Sequence, residues 1–102
     1  MKSNVITELL KIEALPGTTP EQVVEKADVI NGFISKQDGF IDSELVKALD
    51  GNTWYFIYHK KKKKKLKAVG EKIRSIRLFG EIMPLIEPDS MKVSFYQRVK
   101  SW

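Results

Sequence analysis

The heptapeptide Thr53-Trp54-Tyr55-Phe56-Ile57-Tyr58-His59 (TWYFIYH) decides the fold. Aromatic and β-branched residues dominate it, which is the composition of a strand. Alternation sends Trp54, Phe56 and Tyr58 to one side and Tyr55, Ile57 and His59 to the other. Both sides are apolar, yet a single layer of helices covers only one face of a sheet. The second face must therefore meet solvent, a ligand or another chain.

Asp50-Gly51, just before this stretch, is a hairpin signal because both residues tolerate positive φ. It ties 53–59 to a preceding strand at 40–49, with Ile41, Leu45 and Leu49 on one face and Asp42 and Glu44 on the other. Further upstream, Thr19-Pro20-Glu21-Gln22 reads as a helix start. Thr19 is the N-cap, Pro20 takes the first helical position, and Gln22 closes a capping box. Val23, Ala27, Ile30 and Ile34 then recur at helical spacing, until Asp38-Gly39 ends the segment. The first strand spans 5–15, with Ile6, Leu10, Ile12 and Ala14 on its apolar side and Glu8 set among them. Downstream, Leu66, Val69, Ile73 and Ile76 form the apolar stripe of a second helix at 64–80. Pro84 and Pro88 close the passage after it. Residues 91–99 make the last strand, with Met91, Val93, Phe95 and Val99 on one face.

The order βαββαβ folds most simply as two right-handed split units. The expected class is α+β and ferredoxin-like: a four-stranded antiparallel sheet with two helices on one face, in one domain covering residues 1–102. Strands 1 and 3 would be central. The face away from the helices then gathers Leu9, Val46, Ala48 and Tyr96 with Lys11, Asp42, Glu44, Lys92 and Arg98. Such a semi-apolar surface fits a two-fold interface with a polar rim.

Composition limits the function. The chain has 102 residues, 42% hydrophobic and 30% charged, and contains no cysteine. Disulfides, thiolate chemistry and cysteine zinc sites are thereby excluded, and a cytoplasmic location is the expectation. No run of 18 apolar residues marks a membrane span, and charged residues inside the N-terminal stretch argue against a signal peptide. The net charge of +5 is smaller than the six lysines from Lys60 to Lys65. The basic character therefore belongs to that run and not to the fold. Nucleic-acid surfaces spread cations along a face among stacking aromatics. The run is expected to be a solvated connector, and binding of an anion or nucleic acid through it is the weaker alternative. No Gly-rich phosphate loop and no cluster of metal ligands appears. Neither a haem, a flavin, a nicotinamide nor a metal cofactor is expected.

The order of elements, the turn Gln37-Asp38-Gly39-Phe40, and the passage Ile82-Met83-Pro84-Leu85-Ile86-Glu87-Pro88 together resemble the antibiotic-biosynthesis-monooxygenase-like family. The resemblance implies a dimeric α+β barrel, in which two sheets pack face to face and each subunit holds a pocket between sheet and helices. It also implies a cofactor-independent monooxygenase acting on a quinol-like or polyketide aromatic, or a non-catalytic ligand-binding or structural dimer. Haem degraders of this type pair an Asn on strand 1 with a Trp ending strand 3 and a His on helix 2. Here Asn4 precedes the strand, Trp54 begins strand 3, and helix 2 has no histidine. A Trp-x-Ser landmark leading into helix 2 is also replaced, by Tyr58-His59 and lysines.

Within that frame the candidate catalytic residues are His59, Tyr58 and Arg77. His59 is the one histidine, the residue type whose unperturbed pKa lies near neutrality; beside Tyr58 it would shuttle a proton from a phenolic substrate. Arg77 lies within about 20° of Leu66 and about 40° of Ile73 on an ideal helix. It either holds an anionic oxygen in the pocket, with Glu8 as an internal counter-ion, or snorkels to water. Substrate-binding candidates are Trp54, Phe56 and Glu8 on the sheet and Gly70 and Ile73 on the helix. A one-residue register shift exchanges the two sets of strand 3, so periodicity leaves open which set lines the pocket.

Overall fold

The computed structural model describes residues 4–61, 77 and 79–102. The elements follow in the order β1 (Val5–Glu13), α1 (Pro20–Ile34), β2 (Phe40–Lys47), β3 (Thr53–Lys61), a 3-10 helix (Phe79–Leu85) and β4 (Lys92–Gln97). The four strands form one antiparallel sheet in the order β2-β3-β1-β4. Strands 1 and 3 are thus central, as their apolar content predicts. The second helix expected over 64–80 falls largely outside the described residues.

Local chemistry explains the elements. Thr19 caps α1: its Oγ1 accepts from the Gln22 N–H at 3.2 Å, while Gln22 Oε1 accepts from the Thr19 N–H at 2.8 Å. The two side chains satisfy two backbone donors that the helix cannot. The buried face of α1 carries Val23, Ala27, Ile30 and Ile34. These meet Leu10 and Ile12 of β1, Trp54, Phe56 and Tyr58 of β3, Phe79 and Ile82 of the 3-10 helix, and Val93 of β4 in a single core.

Several expected boundaries move. In β2, Phe40 pairs with Lys60 and Asp42 with His59, so Ile41 is the extra residue of a bulge. The bulge turns Phe40 onto the core beside Leu45 and leaves Ile41 exposed. Leu49, expected on β2, is 100% exposed in the loop between β2 and β3. That loop is closed by a hydrogen bond from the Ala48 N–H to the Thr53 carbonyl, so the turn is longer than Asp50-Gly51 alone. Val99 lies past the end of β4 and is also exposed. Ala14 forms an isolated bridge to Ile86 beyond the end of β1.

β3 extends two residues further than its aromatic stretch suggests, to Lys61. Its even positions, Trp54, Phe56, Tyr58 and Lys60, are buried, and its odd positions through His59 are half-buried. Lys60 and Lys61 are therefore sheet residues and not part of a connector. Gly39 makes that extension possible. It holds φ +88, accepts from the Lys61 N–H at 2.8 Å, and lies so close to Lys61 that a Cβ there would sit 3.3 Å from its carbonyl oxygen.

Candidate functional site

The core face of the sheet is mostly apolar, and a buried carboxylate stands at its centre. Glu8 stands opposite Tyr58 on one side and Phe95 on the other in the strand register. Its side chain is closed off from solvent. The Tyr58 hydroxyl donates to Glu8 Oε1, and the Lys60 ammonium lies 3.8 Å from the same oxygen. That ammonium is also 5.8 Å from the centre of the Tyr58 ring and 5.9 Å from that of Phe95. A carboxylate in such surroundings requires compensation, and here a phenol and a cation both supply it. The aromatic faces add a cation–π attraction.

This arrangement can move a proton. Tyr58 and Glu8 already share a hydrogen bond, and the ammonium beside them favours negative charge on either oxygen. Phe56 packs edge-on against Tyr58 at 6.2 Å and against Phe79 at 5.5 Å between ring centres. Trp54 lies on the same face, toward the other end of the strand.

Of the expected residues, the structure brings together Glu8, Tyr58 and Phe56. His59 does not join them, because adjacent residues of a strand point to opposite faces. Its Nδ1 lies 2.6 Å from Asp42 Oδ1 on the other side of the sheet. His59 and Tyr58 therefore stand on opposite faces of the sheet, and the side chain that Tyr58 meets is Glu8. Arg77 is exposed, and a cation beside Glu8 is Lys60. Gly70 and Ile73 lie outside the described residues. Lys60 was hidden in the sequence by its five lysine neighbours. Its even position in β3 is the signal that would have revealed it.

A cleft of about 310 Å³ opens between α1 and the edge strand β2, lined by Val24, Ala27, Asp28, Asn31, Ser43, Glu44, Leu45 and Phe56. Ser43 Oγ donates to Asn31 Oδ1 and ties the two elements together. Phe56 is thus shared: it lines this cleft and packs on Tyr58. Among the described residues no three His, Asp or Glu side chains converge as a metal site, and no helix is long and apolar enough to cross a membrane.

Solved structures with the same architecture are several. SnoaB, a cofactor-independent oxygenase from Streptomyces nogalater, superposes with a TM-score of 0.71 at 12% identity, covering 97% of each chain. The fold is that of the antibiotic-biosynthesis-monooxygenase-like proteins. A putative antibiotic biosynthesis monooxygenase from Nitrosomonas europaea matches at a TM-score of 0.70 and 11% identity, over 96% of this chain and 93% of that one. One from Bordetella bronchiseptica matches at 0.66 and 13%, over 96% and 100%. At these identities the likeness is one of fold. Neither a family model nor a curated protein matches the sequence.

Proposed function

We propose that the chain is a homodimeric α+β barrel protein that binds a compact aromatic or quinol-like metabolite and oxidises it with molecular oxygen, without a cofactor. What carries this is the buried Glu8–Tyr58–Lys60 group, in a fold shared with a cofactor-independent oxygenase. Substrate would lie on the core side of the sheet, against Phe56 and Trp54. Tyr58, backed by Glu8, takes a proton from an acidic methylene or phenol, and Lys60 stabilises the resulting anion. That anion gives one electron to oxygen, and the superoxide and substrate radical combine. The peroxide regains the proton and loses water, so a methylene and dioxygen become a carbonyl and water.

The test is oxygen uptake with a panel of quinols and anthrones. Wild type should consume oxygen, and Glu8→Gln and Tyr58→Phe should each lower the rate by about a hundredfold or more. Absence of uptake by wild type across the panel, or rates unchanged by both substitutions, rejects it.

A second reading is a non-catalytic dimer of the same fold. It is favoured by the burial of Tyr58, only 2% exposed, inside an aromatic cluster that a purely structural core would also contain. A ligand that raises the melting temperature but is recovered unchanged would select it. Binding of an anionic partner through the lysine run loses Lys60, which is only 7% exposed.

A further inference from the structure

The sheet face opposite the core has a charge pattern that becomes visible only when the register is laid out. Reading across β2, β3, β1 and β4, the first row is Asp42, His59, Thr7, Tyr96. The second is Glu44, Ile57, Leu9, Ser94, and the third is Val46, Tyr55, Lys11, Lys92. Acids thus occupy one corner and lysines the diagonally opposite corner, with Ile57, Leu9 and Tyr55 between them. Lys61 and Arg98 stand outside this grid, at the rim next to Val5. Glu13, beyond Lys11 on β1, accepts from the Thr53 hydroxyl.

Within one chain the lysine corner is unfavourable. Lys11 and Lys92 are directly opposed across two strands, and like charges so placed repel. Neither has an ion-pair partner among the described residues. Asp42 and Glu44 share one face two residues apart and both are exposed; Asp42 already contacts His59 of its own chain, and Glu44 has no ion-pair partner among the described residues.

We infer that a second copy of this chain covers this face in one specific orientation, set by these four charges; this rests on the homodimer proposed above. The two-fold axis lies in the plane of the seam, along the other diagonal, from the Tyr96 corner to the Val46 corner. That operation lays the acid corner of each copy over the lysine corner of the other. Asp42 meets Lys92 of the second copy, and Glu44 meets its Lys11. The spacings are compatible, since residues two apart on a strand are about 7 Å apart and neighbours on adjacent strands about 5 Å. Ile57, Leu9 and Tyr55 pack on their own counterparts at the centre. The strands of the two sheets cross steeply, in the orthogonal manner of sheet packing. Because the contact is isologous, each ion pair occurs twice.

The experiment uses two charge-reversed full-length chains, Asp42→Lys/Glu44→Lys and Lys11→Glu/Lys92→Glu, followed by native mass spectrometry and sedimentation equilibrium. Each alone places like charges against like, and its dimer dissociation constant should rise about tenfold or more over wild type. Mixed together, both corners are complementary again, and the heterodimer should exceed either homodimer. The four substitutions combined in one chain should restore a homodimer close to wild type, which also shows that the variants fold. If wild type dimerises but the two variants show no preference for each other, the charge-set orientation is wrong while the homodimer stands. If wild type is an 11.7 kDa monomer at micromolar concentration, both fail.

Discussion

The Tyr58 hydroxyl donates to Glu8 Oε1 across the β1–β3 register, and both side chains lie inside the core. Their Cα partnership makes the bond short in space though the residues are fifty apart in sequence. Lys60 approaches the same oxygen from two residues along β3. The three groups depend on one another, because each charge would be costly without the others.

Removing Glu8 leaves Lys60 as a buried cation without its carboxylate. Glu8→Ala should therefore destabilise the fold by about 3–5 kcal/mol, whereas Tyr58→Phe, which removes one neutral donor, should cost about 1–3 kcal/mol. Urea denaturation of the three proteins measures the difference. Equal losses would contradict the pairing.

The lysine run should divide at its second member. Lys60→Met removes the cation beside Glu8 and should be clearly destabilising, while Lys61→Met, at an exposed site, should stay within about 0.5 kcal/mol of wild type. The double variant Glu8→Gln/Lys60→Met should recover much of either single loss, since it removes both charges together. Denaturation midpoints for the set provide the cycle.

Two glycines should respond with opposite signs. Gly39→Ala places a Cβ at φ +88 and 3.3 Å from the Lys61 carbonyl oxygen; a loss of about 1–2 kcal/mol is expected. Gly32 lies inside α1 with open space around its would-be Cβ. Gly32→Ala should stabilise by about 0.5–1 kcal/mol. Thermal melts of both variants check the pair.

Thr19→Ala should cost about 1 kcal/mol by releasing the cap of α1, and Thr19→Asp should restore most of it. A loss shared by both variants would show that the threonine methyl, and not the capping oxygen, matters there.

Much of this molecule is local and legible. The capping box at Thr19 and Gln22, the buried stripe of α1, the alternation of β1 and the central position of β3 all follow from neighbours in the chain. Each depends on helical or strand period and on side chains a few residues apart. Three decisions do not. A strand apolar on both sides has no local preference for either face, and only the pairing of Tyr58 with Glu8 and the packing of Phe56 on Phe79 select the even set. The bulge at Ile41 follows from the pairing of β2 with β3, and it replaces Ile41 with Phe40 in the core. Lys60 looks like one of six solvated lysines until β3 is extended, when its position between Glu8 and two aromatic rings explains its burial. The sequence by itself determined the elements and their order, because those interactions are short-ranged. The tertiary structure decided which side of each strand is the core, because a period of two is symmetric until distant strands are in register.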